Sequence, residues 1–142
     1  MHQDDCVFCK IVKGELPCAR VFETDDVLAF LDIAPVAPGH VLVIPKAHHR
    51  NLFDLPEAVG GRLFAALSPV GAAVMAATGA AGLNVQINNN AAAGQVVFHA
   101  HAHLIPRHEG DGLRLWSGRP YADAAAAQAM AEAVRAAVAR GR

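Results

Sequence analysis

Residues 97–108 read VFHAHAHLIPRH, so His99, His101 and His103 fall at every second position with alanine between them. Period-two alternation is the signature of a strand, whose side chains point by turns to opposite faces. The stretch therefore predicts a strand that projects three imidazoles from one face and Ala100, Ala102 and Leu104 from the other. A solvated strand face has no need of a single residue type. Imidazole, however, offers a neutral nucleophile, a cation that pairs with phosphate, and one ring nitrogen that a hydrogen bond at the other can orient. The small alanines behind leave room for an element to pack closely on the back.

Working outward, INNNAAAGQ (87–95) places Asn88, Asn89, Asn90, Gly94 and Gln95 just upstream. A glycine-rich loop lets backbone N–H groups approach an anion, because no Cβ stands in the way. Loop and histidines together point to a phosphorylated ligand. Further upstream, two strands are expected at Ala19–Glu23 and Val27–Asp32 around a Thr-Asp-Asp turn, and a third in HVLVIPK, ended by Pro45. GLNVQINNN adds another strand. Between these, Val59, Leu63, Leu67, Val70 and Val74 recur at helical spacing. Gly60, Gly61 and Pro69 predict that this helix is kinked or split in two. An Ala-rich tail from about Asp123 to near Arg140 has high helix propensity. Runs of strands with segregated helices predict an α+β domain on an antiparallel sheet of about five strands, with a short N-terminal helix, a main helix and a C-terminal one.

The 142 residues suit one domain (1–142), with its core at about 6–108 and a helical extension at about 120–140. A formal net charge of −1 gives no bulk attraction to nucleic acid or membrane. No window is expected to be apolar enough to span a bilayer. The polar, acidic MHQDDCVFCK is unlike a signal peptide, and three cysteines make no disulfide framework. A cytoplasmic protein is expected. Cys6 and Cys9 have the spacing of half a tetrahedral zinc site, or of a redox pair.

These motifs, in this order and spacing, resemble the histidine triad family: His99-Ala100-His101-Ala102-His103-Leu104-Ile105, FLDIAPVAPGHVLVIPKAH, INNNAAAGQVVFH and the opening CVFCKIVKGELP. The resemblance covers about residues 6–108. It is greatest to the bacterial type of histidine-triad nucleotide-binding proteins, which hydrolyse purine nucleoside phosphoramidates. It implies that His101 is the nucleophile toward the α-phosphorus, forming a nucleotidyl-histidine that water resolves to a nucleoside monophosphate such as AMP. His103 would then donate to a phosphate oxygen, and His99 would fix the geometry of His101. Asn88, Gly94, Gln95 and Val96 fall at the phosphate positions, Asp32 at the ribose hydroxyls, and Phe30 and Ile33 at the base slot. Some members carry Ser at position 96, so Val96 leaves the leaving-group preference open. The resemblance also implies a homodimer, and zinc held structurally by Cys6, Cys9, His48 and His99, with His49 adjacent to His48.

Read without the resemblance, Asp32 is a strand-end turn residue, Phe30 and Ile33 are ordinary core, and His40 caps a loop. His2 and His108 are expected to be exposed. Competing functions are hydrolysis of dinucleoside polyphosphates, a nucleotide-binding regulatory module with incidental hydrolysis, and a protein in which the histidines are metal ligands only.

Overall fold

A computed structural model describes residues 3–141, so His2 lies outside it. The chain divides into two units, one reaching to Asp111 and one beginning at Gly112.

The first unit is built on five antiparallel strands: β1 (Arg20–Glu23), β2 (Val27–Leu31), β3 (Val41–Pro45), β4 (Gly82–Gln86) and β5 (Ala102–Arg107), in the order β1-β2-β3-β5-β4. The apolar runs VLAFL and VLVIP are continuous because both faces of the sheet are covered. Val27, Ala29, Val41, Val43, Ala102 and Leu104 point to one face, where they pack with the main helix α2 (Glu57–Thr78). Leu28, Phe30, Leu42 and Ile44 point to the other, where Phe8 and Ile11 of the short helix α1 (Val7–Val12) cover them.

α2 is one continuous helix, not two, despite Pro69. The residues it buries, Leu63, Ala66, Leu67, Val70, Gly71 and Val74, form a single stripe. Pro69 lies on the exposed side, off the buried stripe, where the carbonyl left without its N–H partner is open to solvent rather than sealed in the core. Gly71 lets α2 lie close to β4: a Cβ there would stand 2.8 Å from Cδ2 of Leu83 and displace that side chain. Over its 22 residues α2 is long and apolar enough, by composition, to cross a bilayer, contrary to the expectation. Its many alanines raise hydropathy, and here it serves as the core helix packed on the sheet.

The alternation in VFHAHAHLIPRH holds, but the strand starts later than its pattern suggests. β5 begins at Ala102, so only His103 is in the ladder, opposite Leu42 and Gln86. His99 and His101 precede the strand, where Ala100 N–H donates to His49 O instead (2.6 Å). The alanines behave as read: Ala100 and Ala102 are fully buried.

In the second unit, α3 (Ala124–Arg140) is capped by Asp123, whose Oδ1 accepts from Ala126 N–H at 2.8 Å. The helix buries none of its residues, and Met130, Val134 and Val138 form a half-exposed apolar stripe.

Candidate active site

On the α1 face, aromatic rings form one continuous row. His48 meets His99 (centroids 4.9 Å apart), both His99 and His101 lie edge-on to Phe8, His101 meets His103 (4.9 Å), and His103 meets His40 (5.1 Å). His99 is fully buried, and His40 and His101 nearly so, at 2% and 6% exposure.

The hydrogen bonds assign a proton to each ring. A carbonyl only accepts, so His101 Nδ1, 2.6 Å from His99 O, carries hydrogen, and its Nε2 is left with a free lone pair. His99 Nε2 likewise donates to Pro45 O at 2.8 Å, leaving the lone pair on Nδ1. Val36 N–H donates to His40 Nδ1 (3.1 Å), so His40 carries its hydrogen on Nε2 and donates to His103 Nδ1 (2.9 Å). His103 must then present an Nε2–H. The row thus contains a nucleophilic nitrogen on His101 and, on the neighbouring ring, a donor. Asp32 Oδ2 stands 3.7 Å from His40 Nε2, and its Oδ1 accepts from Ala34 N–H.

His40 was read as a loop cap, and its Nδ1 does accept from Val36 N–H of that loop. What the reading missed is that His40 is also buried beside the triad, which sequence parity could have shown, since it precedes β3 in phase with Leu42, the register partner of His103.

Burial holds the imidazoles neutral. Desolvation, chiefly, pushes the pKa of His40, His48 and His101 below the ordinary value, and that of His99 and His103 down to about 4. For His103, the neighbouring His101 and His40 add to the effect. An unfolded chain takes up a proton on His103 near pH 6.5, while the folded one refuses it until about pH 4. The penalty is absent above pH 6.5 and grows as the pH falls toward 4. His103 is only partly buried, so its share is discounted to about 1 kcal/mol at pH 5. Thermal melts should therefore show a midpoint that falls from pH 7 to pH 5, and less steeply in His103→Gln. An equal slope in both proteins would refute this linkage.

The loop that leads into the row is held by a network of hydrogen bonds. Asn90 has φ 70 and ψ 160, a conformation that costs a side-chain-bearing residue about 1–3 kcal/mol. Its N–H donates to Gln95 Oε1 (2.8 Å), and its carbonyl accepts from Ala93 and Gln95 N–H. At about 1 kcal/mol each, such bonds offset the strain. Gln95 is 3% exposed, and its Nε2 donates to Arg50 O and Val97 O, so this side chain organises the loop and has no hydrogen left for a ligand. Gly94 takes φ 89. Among the described residues, Val96 N–H has no partner, and its side chain is exposed. Asn88 Oδ1 accepts from Gln86 Nε2. Phe30 is core, edge-on to Phe8, whereas Ile33 is fully exposed.

Two clusters group metal-type donors. Cys6 Sγ, Cys9 Sγ, His48 Nδ1 and His99 Nδ1 lie within 4.8 Å of one another. Sulfur–nitrogen separations are 3.4 Å (Cys9–His48), 3.5 Å (Cys6–His99) and 3.6 Å (Cys9–His99). Tetrahedral zinc with arms of about 2.3 and 2.0 Å requires a separation of about 3.5 Å. The donor set fits such an ion, and Pro45 O already orients the His99 ring. Burial pushes the Cys9 thiol up. The second cluster, Asp32, His40 and His103, does not fit a metal. His40 Nδ1 accepts from Val36 N–H, so the Nε2 facing the cluster bears hydrogen where an ion would need a lone pair.

A family model described as "HIT domain" matches residues 13–110. The chain belongs to the HIT domain family. It is 46% identical over 111 residues to "Adenylylsulfatase HINT3" of Arabidopsis thaliana, covering 78% of this chain and 56% of that protein. The chain thus spans little more than half the length of that relative. It is 44% identical over 102 residues to "Adenosine 5'-monophosphoramidase hnt1" of Schizosaccharomyces pombe, covering 72% and 74%. The crystal structure of SMU.412c from Streptococcus mutans UA159 superposes with a TM-score of 0.92 at 42% identity, covering 96% of this chain and 87% of that one. The α+β sheet fold read from the sequence is that of the family. Cys6 and Cys9 lie outside the matched span.

Proposed function

We propose that this HIT domain hydrolyses purine nucleoside phosphoramidates at the α-phosphorus, through a nucleotidyl-histidine on His101. The observation that carries this reading is the free Nε2 lone pair on a neutral, desolvated His101, next to a ring that must present an N–H donor. In the first step His101 Nε2 forms a bond to phosphorus as the P–N bond breaks, and the amine leaves neutral with a proton taken from water on the exposed Val96 side, which the water of the second step returns. The cationic ring so created keeps its Nδ1–H on the His99 carbonyl, which stabilises it. His103 Nε2–H and Val96 N–H hold phosphoryl oxygens. In the second step water displaces His101 and releases the nucleoside monophosphate. Asn88 and Gly94 shape the phosphate side of the site, and Asp32 the ribose side.

Adenylyl sulfate is a second candidate substrate. A relative bears the name adenylylsulfatase, and sulfate leaves as a weak base that needs no proton, which suits a site with aliphatic Val96 beside the reacting phosphorus. Parallel turnover of adenosine phosphoramidate, adenylyl sulfate and a diadenosine polyphosphate tests the assignment. The phosphoramidate is expected to give the highest kcat/KM; faster cleavage of the diadenosine compound would overturn the reading.

The four-ligand cluster is proposed to hold one structural zinc, since four protein donors leave no open position for substrate. A homodimer is proposed as well. β4 is an unpaired sheet edge with Val85 49% exposed, which a second copy can cover.

A further inference from the structure

Four consecutive residues, His49 to Leu52, hold the triad segment and the loop before it. Ala100 N–H donates to His49 O (2.6 Å), and Gln95 Nε2 donates to Arg50 O (2.7 Å). Asn51 Nδ2 donates to Asn90 Oδ1 (3.1 Å), and Leu52 N–H donates to Asn89 Oδ1 (2.8 Å). Asn51 is 6% exposed and uses both ends of its amide, since its Oδ1 also accepts from Phe53 N–H.

Asn90 is the one non-glycine residue with positive φ among those described. Gln95 and Ala93 hold its main chain; Asn51 holds its side chain. At this φ the Cβ favours a return to ordinary extended backbone. Such a return would rotate the Ala91–Gly94 turn and move the Val96 N–H that follows it.

We propose that Asn51 is a positioning residue for the phosphate loop: through Asn90 it keeps Val96 N–H aimed at the phosphoryl group, without touching the substrate itself. The proposal rests on the nucleotide-hydrolase reading and deepens it. It separates two things a simple structural role would not, namely the side-chain link and the backbone strain that the link restrains. Glycine at position 90 takes φ 70 without a Cβ penalty, so it needs no restraint.

The test measures AMP affinity by calorimetry and the kcat and KM of phosphoramidate hydrolysis. Asn51→Ala should weaken AMP binding and raise KM about tenfold. Asn51→Asp should stay close to wild type, because the Asn90 amide can turn over and donate to the carboxylate. In Asn51→Ala/Asn90→Gly, binding should return although both side-chain amides are gone. Asn90→Ala, which breaks the link but keeps the Cβ, should resemble Asn51→Ala. Wild-type binding in Asn51→Ala would overturn the proposal, as would a double variant no better than the single one or a loss of binding that tracks the thermal midpoint. Failure of the function itself shows elsewhere: wild-type protein would not bind AMP, which overturns both readings.

Discussion

Replacing His101 with alanine is expected to lower phosphoramidate turnover at least about 10³-fold, because the covalent route disappears with the attacking nitrogen. The geometry makes the expectation specific to this ring. His99 Nδ1 faces two cysteine sulfurs and its Nε2 is bound to Pro45 O, so neither nitrogen is offered to substrate. His103 receives a hydrogen bond at Nδ1 and presents a proton at Nε2, the wrong state for attack. Only His101 has its proton held inward by a carbonyl and its lone pair free. Brief reaction with substrate, acid-free denaturation and intact mass measurement should show one nucleotidyl adduct in wild type and none in His101→Ala. The alanine also removes an edge contact to Phe8, so the variant's melting midpoint must be recorded alongside. Undiminished turnover, or an adduct that persists in the variant, would eliminate the mechanism.

How much of this was written in the sequence depends on the kind of interaction involved. The sheet was legible because β2 and β3 are short apolar runs bounded by turn residues, and burial on both faces demands that composition. The continuity of α2 was legible in principle: Pro69 lies off the stripe defined by Leu63, Leu67, Val70 and Val74, so the helix loses a hydrogen bond only toward water. The start of β5 was not. Alternation continues through His99 and His101, but the backbone there bonds to His49, and ladder pairing across 50 residues leaves no local mark. Nor did anything in Asn-Asn-Asn announce that Asn90 takes a glycine-like conformation. That is imposed by Gln95 and Asn51, two buried amides whose neighbours in sequence give no hint of their partners. The motif thus named the residues proposed to do the chemistry, whereas the groups that fix their protonation came from tertiary contacts alone. His40 shows the boundary: its phase with Leu42 was readable, its role as the donor that sets the His103 tautomer was not.

Serine in place of Cys9 is expected to abolish metal binding and to lower the melting midpoint by about 10 °C, given the large share of folding free energy that a closed zinc site supplies. Cys9 is fully buried, and its sulfur lies within 3.6 Å of both His48 and His99 nitrogens, so it is the donor closest to the centre of the cluster. Cys6 caps the start of α1 and its sulfur accepts from Cys9 N–H, while Gln3 N–H points at Cys9 Sγ. Backbone donors aimed at both sulfurs are what thiolates need when no water reaches them. An ion here would tie α1 to the turn after β3 and to the segment entering β5; those last two are already joined by Ala100 N–H to His49 O, whereas α1 meets them through Phe8, the histidine rings and weak sulfur contacts. Protein prepared without added metal should carry about one equivalent of zinc. A strong chelator should reproduce the lower midpoint in wild type and leave Cys9→Ser unchanged. Because His101 Nε2 takes no part in the cluster, chelated protein that is still folded should continue to form the nucleotidyl adduct. Freely alkylated Cys6 and Cys9 in metal-free protein of undiminished stability would remove zinc from this account and leave the two cysteines as a capped, reduced pair at the start of α1.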